Sequence, residues 1–124
     1  MIRVEWVDLL TVPYLENGDD PSIGLDCWGQ ACEVARRAGL SFPVVGSRPS
    51  SEAALHECAF ERVPRADRAG DVLAADPHAL GFVSHVSSVV DAERGLALST
   101  SPRAGAFCWP IRRVGIGLGV WRLK

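Results

Sequence analysis

A cysteine placed where a helix begins is the residue of this chain best suited to chemistry. Asp26-Cys27-Trp28-Gly29 opens a stretch with helical periodicity that runs to Gly39. The first N–H groups of a helix have no intrahelical partner and favour an anion, so a thiol there is expected to lose its proton more easily than a free thiol. Downstream, residues 82–90 have the pattern of a strand that carries one histidine, His85. A cysteine and a histidine placed in this way are the two parts of an activated thiol nucleophile.

The helix that would position the cysteine is the clearest element in the sequence. Over Cys27–Ala38, apolar residues repeat every three or four positions and form one stripe. Arg36 and Arg37 fall in the last turn, where they complement the helix dipole, and Gly39 is a natural stop. The stripe consists of Trp28, Ala31, Cys32, Ala35 and Ala38.

Further elements are predicted on both sides of that helix. Apolar residues between 4 and 12 fit one face of a short helix, and Ser50 is placed to cap a second helix over Ser51–Ala59. After a loop rich in Arg and Pro, the chain has the pattern of strands, with Ala92-Glu93-Arg94-Gly95 as a hairpin turn. N-terminal helices packed on an antiparallel sheet of about five strands predict one α+β domain over residues 1–124. The predicted strands are Asp71–Ala75, Gly81–Val90, Leu96–Thr100, Ala106–Ile111 and Gly115–Leu123.

Composition and charge exclude several classes of function. The 124 residues are 48% hydrophobic and 23% charged, as in ordinary globular domains. A net charge of −2 provides no basic field that would attract nucleic acid. The N-terminal residues lack the basic start and apolar run of a signal peptide, and no stretch is long enough to span a membrane. We therefore expect synthesis in the cytoplasm, with delivery by other proteins if the protein acts outside the cell.

The spacing of the cysteines and histidines argues against a metal site. The four cysteines form no Cys-x-x-Cys pair, and the three histidines do not have zinc-finger spacing. No cofactor is indicated. Disulfides are not expected without a secretion signal. Cys32, Cys58 and Cys108 each have apolar neighbours and are expected to be small core residues.

Three short motifs resemble the NlpC-type papain-like cysteine peptidases. They are Gly24-Leu25-Asp26-Cys27-Trp28-Gly29, Gly70-Asp71-Val72-Leu73 and His85-Val86. In this family Asp-Cys-Ser/Trp-Gly heads a helix, a Gly-Asp pair opens the sheet, and His-Val-Gly lies on the next strand. The resemblance spans nearly the whole chain and implies the papain-like NlpC-type fold.

Other segments are similar to one branch of that family, the peptidases encoded in phage tail operons. Tryptophan after the cysteine is typical of this branch, as are Val12-Pro13-Tyr14 upstream and the closing Val120-Trp121-Arg122-Leu123. The resemblance therefore implies a protein carried in a virion or phage-like tail, with tail-tip or hub proteins as partners.

The resemblance also implies a role for each matching residue. Cys27 would be the nucleophile, and its backbone N–H would contribute to an oxyanion hole. His85 would be the general base that later protonates the leaving amine. Tyr14 would line the acyl pocket with its hydroxyl near the thiol, and Asp26 would cap the helix or hold the substrate's ammonium group. The family's substrates are peptidoglycan stem peptides, usually cut next to a D-glutamyl residue.

The polar residue that orients the histidine departs from the family pattern. Counted without gaps from His85, this third position falls on Ala97, whose side chain cannot accept a hydrogen bond. A slip of two residues supplies Ser99 on the same face of the strand. Ser87 is a second departure, because the family prefers glycine there. Both departures bear on catalysis and neither bears on the fold.

Three functions remain open from the sequence. The first is a tail-associated cysteine peptidase or amidase that cuts peptidoglycan peptides with a Cys27–His85 dyad. The second is a structural tail-tip or assembly module that keeps the peptidase fold without turnover. The third is a cytoplasmic amidase or transferase that uses the same dyad on a small acyl substrate. The Cys27–His85 pair favours an enzyme, whereas alanine at the third position favours the structural module.

Overall fold

Helices come first along the chain and most of the strands follow. The computed structural model describes residues 1–42, 48–114 and 117–124. Within these residues, short 3-10 helices occupy Val7–Thr11 and Ile111–Arg113, and the α-helices are α1, Cys27–Arg37, and α2, Glu52–Glu57. The strands are β1 Asp19–Asp20, β2 Gly24–Leu25, β3 Phe60–Val63, β4 Val72–Ala75, β5 His85–Asp91, β6 Leu96–Ser101, β7 Gly105–Pro110 and β8 Val120–Leu123.

Helix α1 begins at Cys27, as the sequence predicts. The Asp26 carboxylate accepts a hydrogen bond of 2.8 Å from the Gly29 N–H and so caps the helix. After the last turn, Gly39 has a φ of 78°, which is the left-handed conformation that commonly ends a helix. The nucleophile candidate is thus fixed at the first turn by a local cap.

The large sheet is antiparallel throughout, with the strand order β3-β8-β4-β5-β6-β7. Strands β5 and β6 form a hairpin through the predicted turn at residues 92–95, with Val89 opposite Ala97. A register shift between Val89 and Asp91 marks a bulge next to the turn. This register determines which residues of β6 stand beside His85.

Helix α1 packs on one face of this sheet. Trp28, Ala31 and Ala35 form a buried cluster with Val72 and Val86. A second cluster places Val34 of α1 with Leu98 of β6. Val89 packs on the opposite face of the sheet, because alternate residues of a strand point to opposite sides. The opposite face holds Leu73, Val89, Ala97, Val114 and Val120.

The Gly70-Asp71 motif has a structural role at the start of β4. Gly70 has a φ of 94°, a conformation that favours glycine. The Asp71 carboxylate is buried and accepts two hydrogen bonds from Arg122 of β8, at 2.8 and 2.7 Å. It also accepts the Arg68 N–H at 3.1 Å. This bidentate pair joins the beginning of one strand to its neighbour in the sheet.

Two predicted boundaries are corrected by local hydrogen bonds. Strand β5 begins at His85 and not at Gly81, because the Asp76 carboxylate accepts the N–H groups of Leu80 and Gly81 and holds that segment in a turn. Helix α2 is capped by Ser51, whose hydroxyl accepts the Ala54 N–H at 3.1 Å, and not by Ser50.

The large sheet has six strands, one more than the sequence predicts. Strand β3 follows α2 within a polar stretch and has no clear alternation of apolar and polar residues. It forms because it pairs with β8. The predicted last strand is shorter than expected and begins at Val120. Residues 115–116 of that prediction lie outside the described residues. Cys32, Cys58 and Cys108 are half-buried at the edges of the core, and not inside it as expected.

None of the helices in the described residues is both long enough and apolar enough to cross a membrane.

Gly29 of the cysteine motif is required by a close approach of two backbones. A Cβ at this position would lie 1.9 Å from the Gly18 carbonyl oxygen. We expect Gly29→Ala to lower the free energy of unfolding by about 2 kcal/mol, because overpacking costs about 1–3 kcal/mol and exceeds the ~1 kcal/mol gain in helix propensity. Urea unfolding measures this change. Gly117→Ala is the control, since its added Cβ meets no atom of the described residues within 4 Å. Equal stability of the two variants would contradict the close approach.

Candidate active site

Asp26 holds the start of α1 in place through several donors. Besides capping the helix, its carboxylate accepts the Asn17 N–H at 3.1 Å and forms an ion pair with Arg48. Asp26 is itself only 6% exposed. The helix cap that the sequence predicts for Asp26 is therefore observed in the structure. The other predicted role of Asp26, binding a substrate's ammonium group, stays a prediction. The Asp26 carboxylate would have to bind that group in addition to its present donors.

Cys27, His85 and Tyr14 line one cavity of about 320 Å³. Tyr14 reaches it because residue 14 forms a parallel bridge with Leu25, just before α1. His85 reaches it from the first position of β5. Three predicted site residues, which are distant in sequence, thus line one cavity at the beginning of α1. The remaining lining residues are Pro77, His78, Leu80, Ser84, Thr100, Ser101 and Pro102.

Two hydroxyl groups lie beside one nitrogen of the His85 ring. Its Nε2 lies 3.3 Å from Ser99 Oγ and 3.5 Å from Ser87 Oγ, and the two hydroxyls are hydrogen-bonded to each other. Nδ1 takes no part in these contacts. Ala97, the ungapped choice for the third position, lies opposite Val89, four residues along β5 from His85. The structure therefore places Ser99, and not Ala97, beside the histidine.

A buried glutamine connects this arrangement to α1. Gln30 Nε2 donates a hydrogen bond of 3.2 Å to the Ser99 carbonyl oxygen. Gln30 is 1% exposed and lies one turn after Cys27. The backbone of the residue that contacts His85 is therefore tied to the helix that carries the thiol.

Burial controls the protonation of both candidate catalytic groups. It raises the pKa of the Cys27 thiol, and this effect outweighs the Val86 backbone N–H and the Arg48 cation, which favour the thiolate. Burial also lowers the pKa of His85. Both shifts favour the neutral form of each group. The sequence-based expectation of a thiol that ionises easily is wrong for the resting site, because desolvation exceeds the effect of the helix start.

Tyr14 belongs to the same electrostatic environment. Its pKa is raised by burial and then by the neighbouring Cys27 and Asp26. The phenol therefore stays protonated at neutral pH and can donate a hydrogen bond into the cavity.

Two residues of this site were not predicted as parts of it. Ser87 lies two positions after His85 on a strand, so period-two alternation could have placed it on the same face. Arg48 has no comparable local signal, because its contact with Asp26 spans 22 residues of sequence. In the described ranges, no group of three His, Cys, Asp or Glu side chains is placed to hold a metal ion.

The fold is similar to a solved peptidoglycan hydrolase domain. The NlpC/p60 domain of the peptidoglycan hydrolase SagA superposes with a TM-score of 0.61, over 94% of this chain and 90% of that chain, at 18% sequence identity. No protein-family model and no curated relative matches the sequence. The chain thus has an NlpC/p60-type fold, as the resemblance of its motifs implies.

The raised pKa of Cys27 can be tested by alkylation. Only the thiolate reacts, so labelling by iodoacetamide should rise about tenfold per pH unit and level off above the range of a free thiol. Arg48→Gln removes a cation that lowers this pKa and leaves Asp26 without its ion pair, so the midpoint should move higher still. Mass spectrometry of the Cys27 peptide gives the midpoint at each pH.

Arg62→Gln is the control for that measurement. Arg62 pairs with Glu52 at 3.5 Å on the surface, and the same loss of charge there should leave the Cys27 midpoint unchanged. A midpoint that stays constant or moves down in Arg48→Gln would show that Arg48 does not favour the thiolate.

Proposed function

We propose that this protein is a cysteine peptidase or amidase that cuts peptidoglycan stem peptides. One observation carries the proposal: Cys27, His85 and Tyr14 line a single cavity in a fold similar to that of a peptidoglycan hydrolase domain. Ser99 contacts His85 and is the candidate for the third residue, the one that orients the histidine of a Cys–His pair. An extended peptide is a suitable occupant, because the cavity is open and lined by both apolar and polar residues.

The chemistry follows from two groups that are neutral at rest. His85 takes the thiol proton on Nδ1 as Cys27 Sγ attacks the scissile carbonyl carbon, and the carbonyl oxygen becomes an oxyanion. The backbone N–H of Cys27, at the unpaired first turn of α1, stabilises that oxyanion. The imidazolium then gives its proton to the leaving amine, which departs as the thioester forms. Water, deprotonated by His85, attacks the thioester and releases the acid and the thiol.

Delivery to the cell wall is the second part of the proposal. We place the protein in a phage or phage-derived tail, after synthesis in the cytoplasm, with tail-tip or hub proteins as partners. Support comes from the sequence features of that branch, Val12-Pro13-Tyr14 and Trp28 among them. This route accounts for a peptidoglycan substrate that lies outside the cytoplasm.

A structural role in such a tail is the second candidate. The protonation of the site favours it, because burial raises the pKa of Cys27 and lowers that of His85, so neither is charged in advance. In addition, the third position is the hydroxyl of Ser99. A group that only accepts hydrogen bonds would fix the imidazole of His85 more firmly.

Hydrolysis of purified peptidoglycan fragments separates the two candidates. The wild type should release peptides, and Cys27→Ala should lose about 10³-fold or more of that rate, because the nucleophile is gone. Mass spectrometry of the released fragments measures the rate and identifies the scissile bond.

Cys108→Ala is the matched control, because it removes a half-buried thiol from β7, outside the cavity. It should keep the wild-type rate. If the wild type releases no more peptide than Cys27→Ala, the enzyme proposal fails and the structural role is the better description.

A further inference from the structure

The two hydroxyls beside His85 differ chemically from the group they replace. A carboxylate or an amide oxygen only accepts hydrogen bonds, so it places the ring proton on the nitrogen that faces it. A serine hydroxyl both donates and accepts. Ser99 alone therefore holds the ring but does not determine which nitrogen carries the proton.

Ser87 gives the Ser99 hydroxyl a second possible acceptor besides Nε2. It is 1% exposed and Ser99 is 0% exposed, so neither hydroxyl can turn to bulk water. Their mutual hydrogen bond and the contact with Nε2 form a short chain. In one direction, Nε2–H donates to Ser99 Oγ and the Ser99 hydroxyl donates to Ser87 Oγ. In the other direction, Ser87 donates to Ser99 and Ser99 donates to Nε2.

Only the first direction supports catalysis. In the mechanism proposed above, Nδ1 accepts the thiol proton of Cys27, and this direction leaves the Nδ1 lone pair free to do so. The second direction puts the ring proton on Nδ1, where it blocks that transfer. Protonation of the ring enforces the first direction, because both nitrogens of an imidazolium are donors. Ser87 then accepts the Ser99 proton, which makes Ser99 Oγ a better acceptor for Nε2–H.

We propose that Ser87 is a positioning residue for His85, acting through Ser99 so that Nε2 carries the ring proton and Nδ1 is the base. This role rests on the proposed peptidase function of the site. The hydroxyl at residue 87, where the resembling family prefers glycine, thereby offsets the absence of an acceptor-only group at the third position. Removing it leaves Nε2 as the remaining acceptor of the Ser99 hydroxyl among the described residues, and so selects the wrong tautomer.

The ring nitrogens of His85 provide a direct test that needs no substrate. In protein labelled with ¹⁵N-histidine, two-bond ¹H–¹⁵N spectra distinguish the two tautomers, and a pH titration gives the pKa of His85. The wild type should be mainly Nε2–H. Ser87→Ala should shift the population towards Nδ1–H and lower the pKa of His85, since the imidazolium loses part of its hydrogen-bond chain. His56, which is not among the residues that line the cavity, serves as an internal reference.

Ser88→Ala is the matched control, because Ser88 is equally buried on the neighbouring position and its hydroxyl has no partner in the described part of the chain. It should leave the tautomer ratio and the pKa of His85 unchanged. Thermal unfolding of both variants verifies that each is folded. Unchanged His85 spectra in Ser87→Ala, or the same change in Ser88→Ala, would overturn the proposal.

Kinetics on peptidoglycan fragments connect this role to turnover. Ser87→Ala should lower kcat about tenfold with little change in KM, because the substrate does not touch Ser87. A loss confined to KM would contradict a positioning role. If the wild type hydrolyses nothing while the His85 spectra change as expected, the peptidase function fails and the role of Ser87 in setting the tautomer stands.

Discussion

The arrangement of this site depends on the carboxylate of Asp26. It caps α1, accepts the Asn17 N–H from the preceding loop and pairs with Arg48 from beyond the helix. Three separate segments are therefore fixed to one another at the residue before Cys27. The position of the thiol at the first turn of α1 follows from that junction. A hydrogen-bonded, buried carboxylate is well suited to this task, because losing any one donor leaves a buried charge short of a hydrogen bond.

Burial of the reacting groups has opposing effects on the chemistry that the geometry allows. Burial keeps Cys27 and His85 neutral, and this protects the thiol from adventitious reaction while no substrate is bound. The same burial strengthens every hydrogen bond to charge that develops during a reaction. Whether the balance favours turnover depends on how well His85 is oriented, and hence on two serine hydroxyls that differ from an acceptor-only partner.

Local patterns in the sequence identify the helix and the strand histidine, because each depends on short-range periodicity and capping. Strand β3 escapes such patterns, since only pairing with β8 forms it. The partner of His85 is only partly determined by such patterns. An ungapped count along the chain leads to Ala97, a slip of two residues leads to Ser99, and the cross-strand register decides for Ser99. The pKa of Cys27 is likewise a property of packing, since desolvation by distant segments outweighs the local effect of the helix start.

The place of β8 in the sheet has a consequence for how the molecule assembles. β8 follows every other strand in sequence, yet it lies between β3 and β4 and carries Trp121 into the cluster beneath α1. During synthesis the sheet therefore cannot close until residues 120–123 have left the ribosome. Until then β3 and β4 expose unpaired edges, and non-local pairing of this kind is slow. A nascent chain would thus remain without its finished core until its last strand arrives, and it would be most exposed to misassembly just before that step.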